Sequence, residues 1–100
     1  MARLDQDQLL AAAKAFLAAE PDPTGKADLV GEKGSVVVAA EQGDMKAAFK
    51  RIKKVDGYRW VVINREDLFA ANTLSLGSKA GILDADGAVL KAADIPRKKA

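Results

Sequence analysis

Six consecutive residues, Ser35 to Ala40 (SVVVAA), limit what this chain can become. After Ser35 the run is apolar at every position, so neither alternate set of side chains suits a wet face. Such a segment belongs in a central strand covered on both sides. Tyr58 to Ile63 (YRWVVI) also has strand composition, and its alternation places Tyr58, Trp60 and Val62 on one face. If the two strands are parallel neighbours, whatever joins them is a crossover, right-handed by the usual rule.

The joining segment has a helical period. At about 100° per residue, Met45, Ala48, Phe49, Ile52 and Val55 share one arc. Lys46, Lys50, Lys53 and Lys54 occupy the opposite arc, with Arg51 at its border. Gly43 reads as a break, Asp44 as the N-cap, Met45 as the first helical residue, and Asp56-Gly57 as a left-handed stop. A rival assignment makes Phe49 to Val62 a β-hairpin with a type I′ turn at Asp56-Gly57. Alternate positions in 49–55 do not separate apolar from basic residues, whereas helical positions do, so the period favours the helix.

Upstream, Asp5 and Gln8 have the spacing of a capping box, and Leu4 with Leu9 that of a hydrophobic staple. Leu9, Leu10, Ala13, Phe16 and Leu17 then fall on one helical face until Pro21 ends the pattern. This predicts a helix within 5–20 that the 21–26 connector leaves semi-detached. Ala27 to Val30 reads as a strand, and Gly31 to Gly34 as the turn of a hairpin leading into Ser35–Ala40.

Downstream, Asn64 reads as the N-cap of a short helix, Arg65 to Ala71, followed by an alternating strand, Thr73 to Leu76. Gly77 to Gly81 reads as a loop. Ile82-Leu83 and Ala88 to Leu90 make a closing hairpin across Asp84-Ala85-Asp86-Gly87. Ile95-Pro96 closes the ordered part and 97–100 is a basic tail. The expectation is one α+β (or small α/β) domain over 1–96. It has a mixed sheet of about four to six short strands, an N-terminal helix and a basic amphipathic helix.

Apolar residues make up 49% of the chain, enough for a globular domain, but many are Ala and only 5% of residues are aromatic. Ala buries little area, so the core is thin and a second subunit could complete it. There is no Cys and no His. Disulfides, thiolate chemistry and Cys-based metal sites are thereby excluded, and so are the commonest general base and transition-metal ligand. No apolar run reaches the roughly 20 residues a bilayer span needs, and MARLDQDQLL lacks a signal-peptide layout. The expected location is cytoplasmic, away from membranes.

No loop carries a nucleotide signature. Thr24-Gly25-Lys26, Gly31 to Gly34 and Gly77 to Gly81 mix Gly with Lys or Ser but lack P-loop spacing. Asp84-Ala85-Asp86-Gly87 suits a tight turn better than a calcium loop, whose twelfth position would here be Ile95. Glu66-Asp67 suits a helix start, and a Ser–Lys dyad would need Lys79 to meet Ser75 or Ser78 in space. Neither cofactor nor metal is expected.

The net charge of +2 is unevenly placed: residues 46–59 carry +5, whereas 1–45 carry −4. Lys46, Lys50, Arg51, Lys53, Lys54 and Arg59, with Tyr58 beside them, form a candidate face for an acidic protein or a nucleic acid. The corresponding bland reading is a solvated helix face. The leading functional expectation is a small non-enzymatic binding protein using this face. A second is an assembly subunit, a homo-oligomer or a phage-like particle component, using the Ala-rich first helix. An enzyme would have to work with carboxylates, Lys or Ser, with at most a magnesium ion, in a cleft gathering Glu66, Asp84 or Asp86, and Lys79.

Overall fold

The Ser35–Ala40 run is buried at every position, and the pairing around it shows why. The computed structural model describes residues 4–55 and 57–93. The strand β3 (Gly34–Ala39) lies between β2 (Leu29–Gly31), which is antiparallel to it, and β4 (Arg59–Ile63), which is parallel. Beyond these come β1 (Glu20–Pro21) on one edge, then β5 (Gly81–Leu83) and β6 (Val89–Lys91) on the other. The six strands stand in chain order, parallel only from β3 to β5 and antiparallel outside. Each parallel pair needs a crossover. The helix α2 (Gln42–Ile52) joins β3 to β4, and a 3-10 turn (Arg65–Asp67) with α3 (Leu68–Ser75) joins β4 to β5.

Alternation along the strands then builds two cores. Val37, Ala39, Val61, Ile63 and Ile82 point to one face, where Met45, Ala48, Phe49 and Ile52 of α2 and Ala71 of α3 meet them. Val36, Val38, Trp60, Val62 and Leu83 point to the other, covered by Leu9 and Ala13 of the first helix, α1 (Gln6–Leu17). The protein is thus of the α+β class: a mixed sheet with α1 on one face and α2 and α3 on the other. Three helices and three parallel strands account for the apolar runs.

The outer half of β3 lacks a strand on its β2 side, because β2 pairs only as far as Val36. Its backbone is satisfied by side chains instead. Asp28 accepts from the Val38 N–H at 2.9 Å. Gln6 donates to the Val38 carbonyl at 2.8 Å and accepts from the Ala40 N–H at 3.0 Å. One amide on α1 therefore imitates a strand neighbour.

The capping box at Asp5 and Gln8 forms as the spacing predicts, with both reciprocal hydrogen bonds present. The hairpin of β2 and β3 also forms. It turns through Gly34 at φ 127, where a Cβ would lie 2.4 Å from the Tyr58 carbonyl oxygen. Residues 49–52 are helical, so the rival hairpin over 49–62 does not form.

Several expected boundaries are corrected. The α1 helix stops at Leu17, with Ala18 in the left-handed region, so the chain can turn into β1, whose Glu20 falls in the expected helical segment and Pro21 in the expected connector. The strand expected over 27–30 is β2, over Leu29–Gly31, because Asp28 turns its carboxylate to β3 instead. The α2 helix begins at Gln42 with Glu41 at the cap, so Gly43 and Asp44 are inside its first turn. It ends at Ile52, not Val55, although Val55 remains buried. Thr73 to Leu76 is not a strand: α3 runs through Ser75, because Ala71 and Ser75 turn inward at a helical spacing of four. Asn64 precedes the 3-10 turn but makes no side-chain cap. Asp56 of the expected stop, Ile95-Pro96 and the basic tail lie outside the described residues.

Gly43 offers a direct check on the α2 boundary. A Cβ there would meet nothing within 4 Å. Gly43→Ala should therefore stabilise the protein by about 0.5–1 kcal/mol, the helix-interior difference between the two residues. The midpoint of urea denaturation measures it; a loss of stability would restore Gly43 as a break.

Candidate functional site

The cationic residues of 46–59 divide into two groups once their partners are known. Arg51 lies half-buried at the end of α2. Its Nη1 bonds the Asp28 carboxylate at 2.7 Å and its Nη2 the Gly25 carbonyl at 3.0 Å. Arg59, at the start of β4, donates from Nε to the Val55 carbonyl at 2.6 Å and from Nη1 to the Ser78 carbonyl at 3.0 Å. Both guanidinium groups satisfy the ends of elements: one holds the 22–28 connector, the other the turns before β4 and β5. Five donors in a planar fork suit that work better than a lysine ammonium does.

The lysines are different. Lys46, Lys50, Lys53 and Lys54 are all exposed, and among the described residues none forms an ion pair. The burial of Met45, Ala48, Phe49 and Ile52 fixes the roll of α2 on the sheet and so turns Lys46 and Lys50 outward. Lys53 caps the helix in αR geometry, so it continues the helical track by one residue. Tyr58 is 44% exposed, whereas Trp60, two residues on, is buried and donates its indole N–H to the Lys33 carbonyl at 2.9 Å. Trp60 is a core residue, with the Lys33 ammonium 5.8 Å from its ring centroid.

At the opposite end of the parallel strands, a cleft of about 480 Å³ opens among Leu4, Asn64, Arg65, Glu66, Asp84, Ala85 and Asp86. Clefts at the carboxyl ends of parallel strands are the usual ligand sites of such sheets. Its polar groups, however, have local duties. Asn64 donates to the carbonyls of Leu4 and Ala40 and accepts from the Leu4 N–H, joining the first described residue to the ends of β3 and β4. The Asp84 carboxylate accepts from the N–H groups of Asp86 and Ala88, and its other oxygen faces Arg65 at 3.8 Å. The cleft gathers Glu66, Asp84 and Asp86 as an enzyme would require, but Arg65 lines it where Lys79 was expected. Among the described residues that line it there is no Ser, Thr, Tyr or Lys to act as a nucleophile. Among the described residues no group of three or more carboxylates is placed to hold a metal ion.

A Ser–Lys pair does exist, with a different lysine. Lys91 on β6 places its Nζ 2.5 Å from the Ser75 hydroxyl on α3, and that hydroxyl also donates to the Asn72 carbonyl at 2.9 Å. Ser75 is wholly buried, so a substrate has no approach to it. The contact ties the edge strand to the helix. Sequence spacing gave no signal for it, because sixteen residues separate the pair. No described helix is long and apolar enough to cross a membrane.

Comparison of the chain with family models, with curated proteins and with solved structures returns no match.

The division of charges is measurable. Arg51→Ala should cost about 1–3 kcal/mol, the range for a hydrogen bond to a charged group, and should loosen the connector in hydrogen exchange. Lys50→Ala, one residue away, should not lower the denaturation midpoint and should raise it slightly, by the few tenths of a kcal/mol that its repulsion with Lys46 costs.

The connector also predicts the acid limb of stability. The Asp22 carboxylate is held below its ordinary value chiefly by the Thr24 N–H, then by the Ala27 N–H and the Thr24 hydroxyl. Its contribution is therefore present above the unfolded-state value near 3.8 and is lost as pH falls through the lower folded value. Asp22→Asn should flatten the decline of stability below about pH 4 in acid titrations followed by circular dichroism.

Proposed function

We propose that this protein is a small non-enzymatic binding module whose lysine face, Lys46, Lys50, Lys53 and Lys54, engages the phosphate backbone of a nucleic acid. The observation that carries the reading is the exposure of four lysines on one helix and its following turn, with no ion pair among the described residues. Arg51 and Arg59 drop out of the candidate face because their guanidinium groups are engaged inside the fold.

The arrangement is unfavourable for α2 on its own. Lys46 and Lys50 are four apart on α2, and Lys53 and Lys54 follow in the turn beyond it, so like charges crowd one side of the helix end. The Lys46–Lys50 pair costs about 0.2–0.5 kcal/mol, and no acidic residue occupies a position three or four before any of the lysines. A face serving solubility alone is better built from mixed signs. A row of polyanion phosphates supplies the missing counter-charge. Lysine contacts of this kind position a backbone without reading base sequence, and exposed Tyr58 offers a ring on which an unpaired base can stack.

Fluorescence anisotropy titrations with duplex DNA, single-stranded DNA and RNA across a salt series test the reading. Four phosphate contacts give a log–log salt slope on duplex DNA of about −3.6, from roughly −0.9 per contact. Absence of binding to all three at low salt would defeat it, and binding to an acidic polypeptide alone would change the partner class. Lys46→Glu separates function from stability. It replaces a repulsive pair with a Glu–Lys pair in the favourable orientation, so the fold should gain about 0.5 kcal/mol while affinity falls and the slope shrinks by about one.

A further inference from the structure

We infer that the outer face of α3 is a self-association surface, on which a second copy of this chain packs its own α3 antiparallel across a two-fold axis. The inner side of α3 is spent on the core: Ala71 and Ser75 are wholly buried, and Leu68, Ala70 and Leu74 pack beneath them. The outer side holds the two most exposed large apolar residues described, Phe69 at 92% and Leu76 at 70%, with exposed Asn72 and Thr73 between them. A phenylalanine standing almost wholly in water, two turns from a leucine on the same face, is an unusual use of apolar surface in a domain with so few aromatics.

The chemistry of the face favours a second copy as its occupant. From Leu68 to Ser78 there is no charged residue, in a chain of which 30% is charged. A two-fold contact brings each group near its own equivalent, so any charge near the axis would meet a like charge; here there is none. Phe69 and Leu76 lie about 10 Å apart along the axis of α3, at 1.5 Å per residue. An axis midway between Asn72 and Thr73 therefore sets each Phe69 on Leu76 of the second copy, with neutral amide and hydroxyl groups at the centre. The surface lies on a different helix from the lysine face, so it does not depend on nucleic-acid binding.

Sedimentation velocity on the full chain, from micromolar to millimolar concentration and without nucleic acid, tests the association. The expected result is a concentration-dependent dimer. Phe69→Asp and Leu76→Asp should each weaken it at least about tenfold, with unchanged circular dichroism because both sites are exposed. The register is tested by cross-linking, since the chain has no cysteine of its own. A mixture of Phe69→Cys and Leu76→Cys chains should form a disulfide heterodimer under mild oxidation more readily than either variant alone. A strict monomer at millimolar concentration would overturn the inference. So would a dimer indifferent to both aspartates, or one in which Phe69→Cys joins to itself as fast as to Leu76→Cys.

Discussion

The parallel pairing of β3 with β4 is the contact on which the rest of the structure depends. Its register sets Val36 beside Trp60 and Val38 beside Val62, with Val37 beside Val61 on the other face. Both faces of both strands are apolar, so neither can be left in water, and one covering helix would not suffice. The crossover supplies the cover for one face as a consequence of connectivity: a chain that must return to the start of β4 has to lay α2 across the sheet. The other face needs a helix from elsewhere, and α1 fills it with Leu9 and Ala13. A small domain thereby obtains two modest cores, rich in Val and Ala, in place of one large core.

Covering a parallel pair on both faces still leaves the ends of its strands, where backbone groups outrun their neighbours. The protein meets this with side chains that act as short strands. Gln6 and Asp28 complete the open half of β3, and Asn64 clasps Leu4 and Ala40 where β3 and β4 end. These residues explain why the cleft beside Asn64 and Asp84 is poor in free chemical groups. Its position matches that of a ligand site in larger parallel sheets, but its amide and its most buried carboxylate hold the chain together. Position in a fold does not decide function; the engagement of particular atoms does.

How much of this was legible in the sequence followed the range of each interaction. The capping box at Asp5 and the apolar arc of α2 are local patterns, and both formed as read. The alternation of Thr73 to Leu76 was also local, but it suits a strand and a helix equally; the inward turn of Ala71 and Ser75 decides, and it depends on the sheet below. Gly43 and Asp44 gave a false start to α2 because glycine and aspartate favour caps when taken alone, whereas the end of β3 forces the helix to begin sooner. The roles of Arg51, Arg59 and Lys91 could not be read at all. Their partners Asp28, Ser78 and Ser75 lie 16 to 23 residues away, and no periodicity links them.

That last point changes what a run of positive charge means. In sequence, six cations between Lys46 and Arg59 look like one basic patch, and charge counting treats them alike. In the fold, the two guanidinium groups turn inward to carbonyls and a carboxylate, because a planar fork can satisfy several acceptors at a partly buried site. The four ammonium groups remain outside, each a point charge that keeps its hydration. Residue type therefore sorts the patch before any partner arrives: arginine builds the platform, and lysine decorates it. The case for binding rests on the lysines alone: Lys46 and Lys50 repel each other on α2, Lys53 and Lys54 add like charge just beyond its end, and no acidic residue stands three or four positions before any of them.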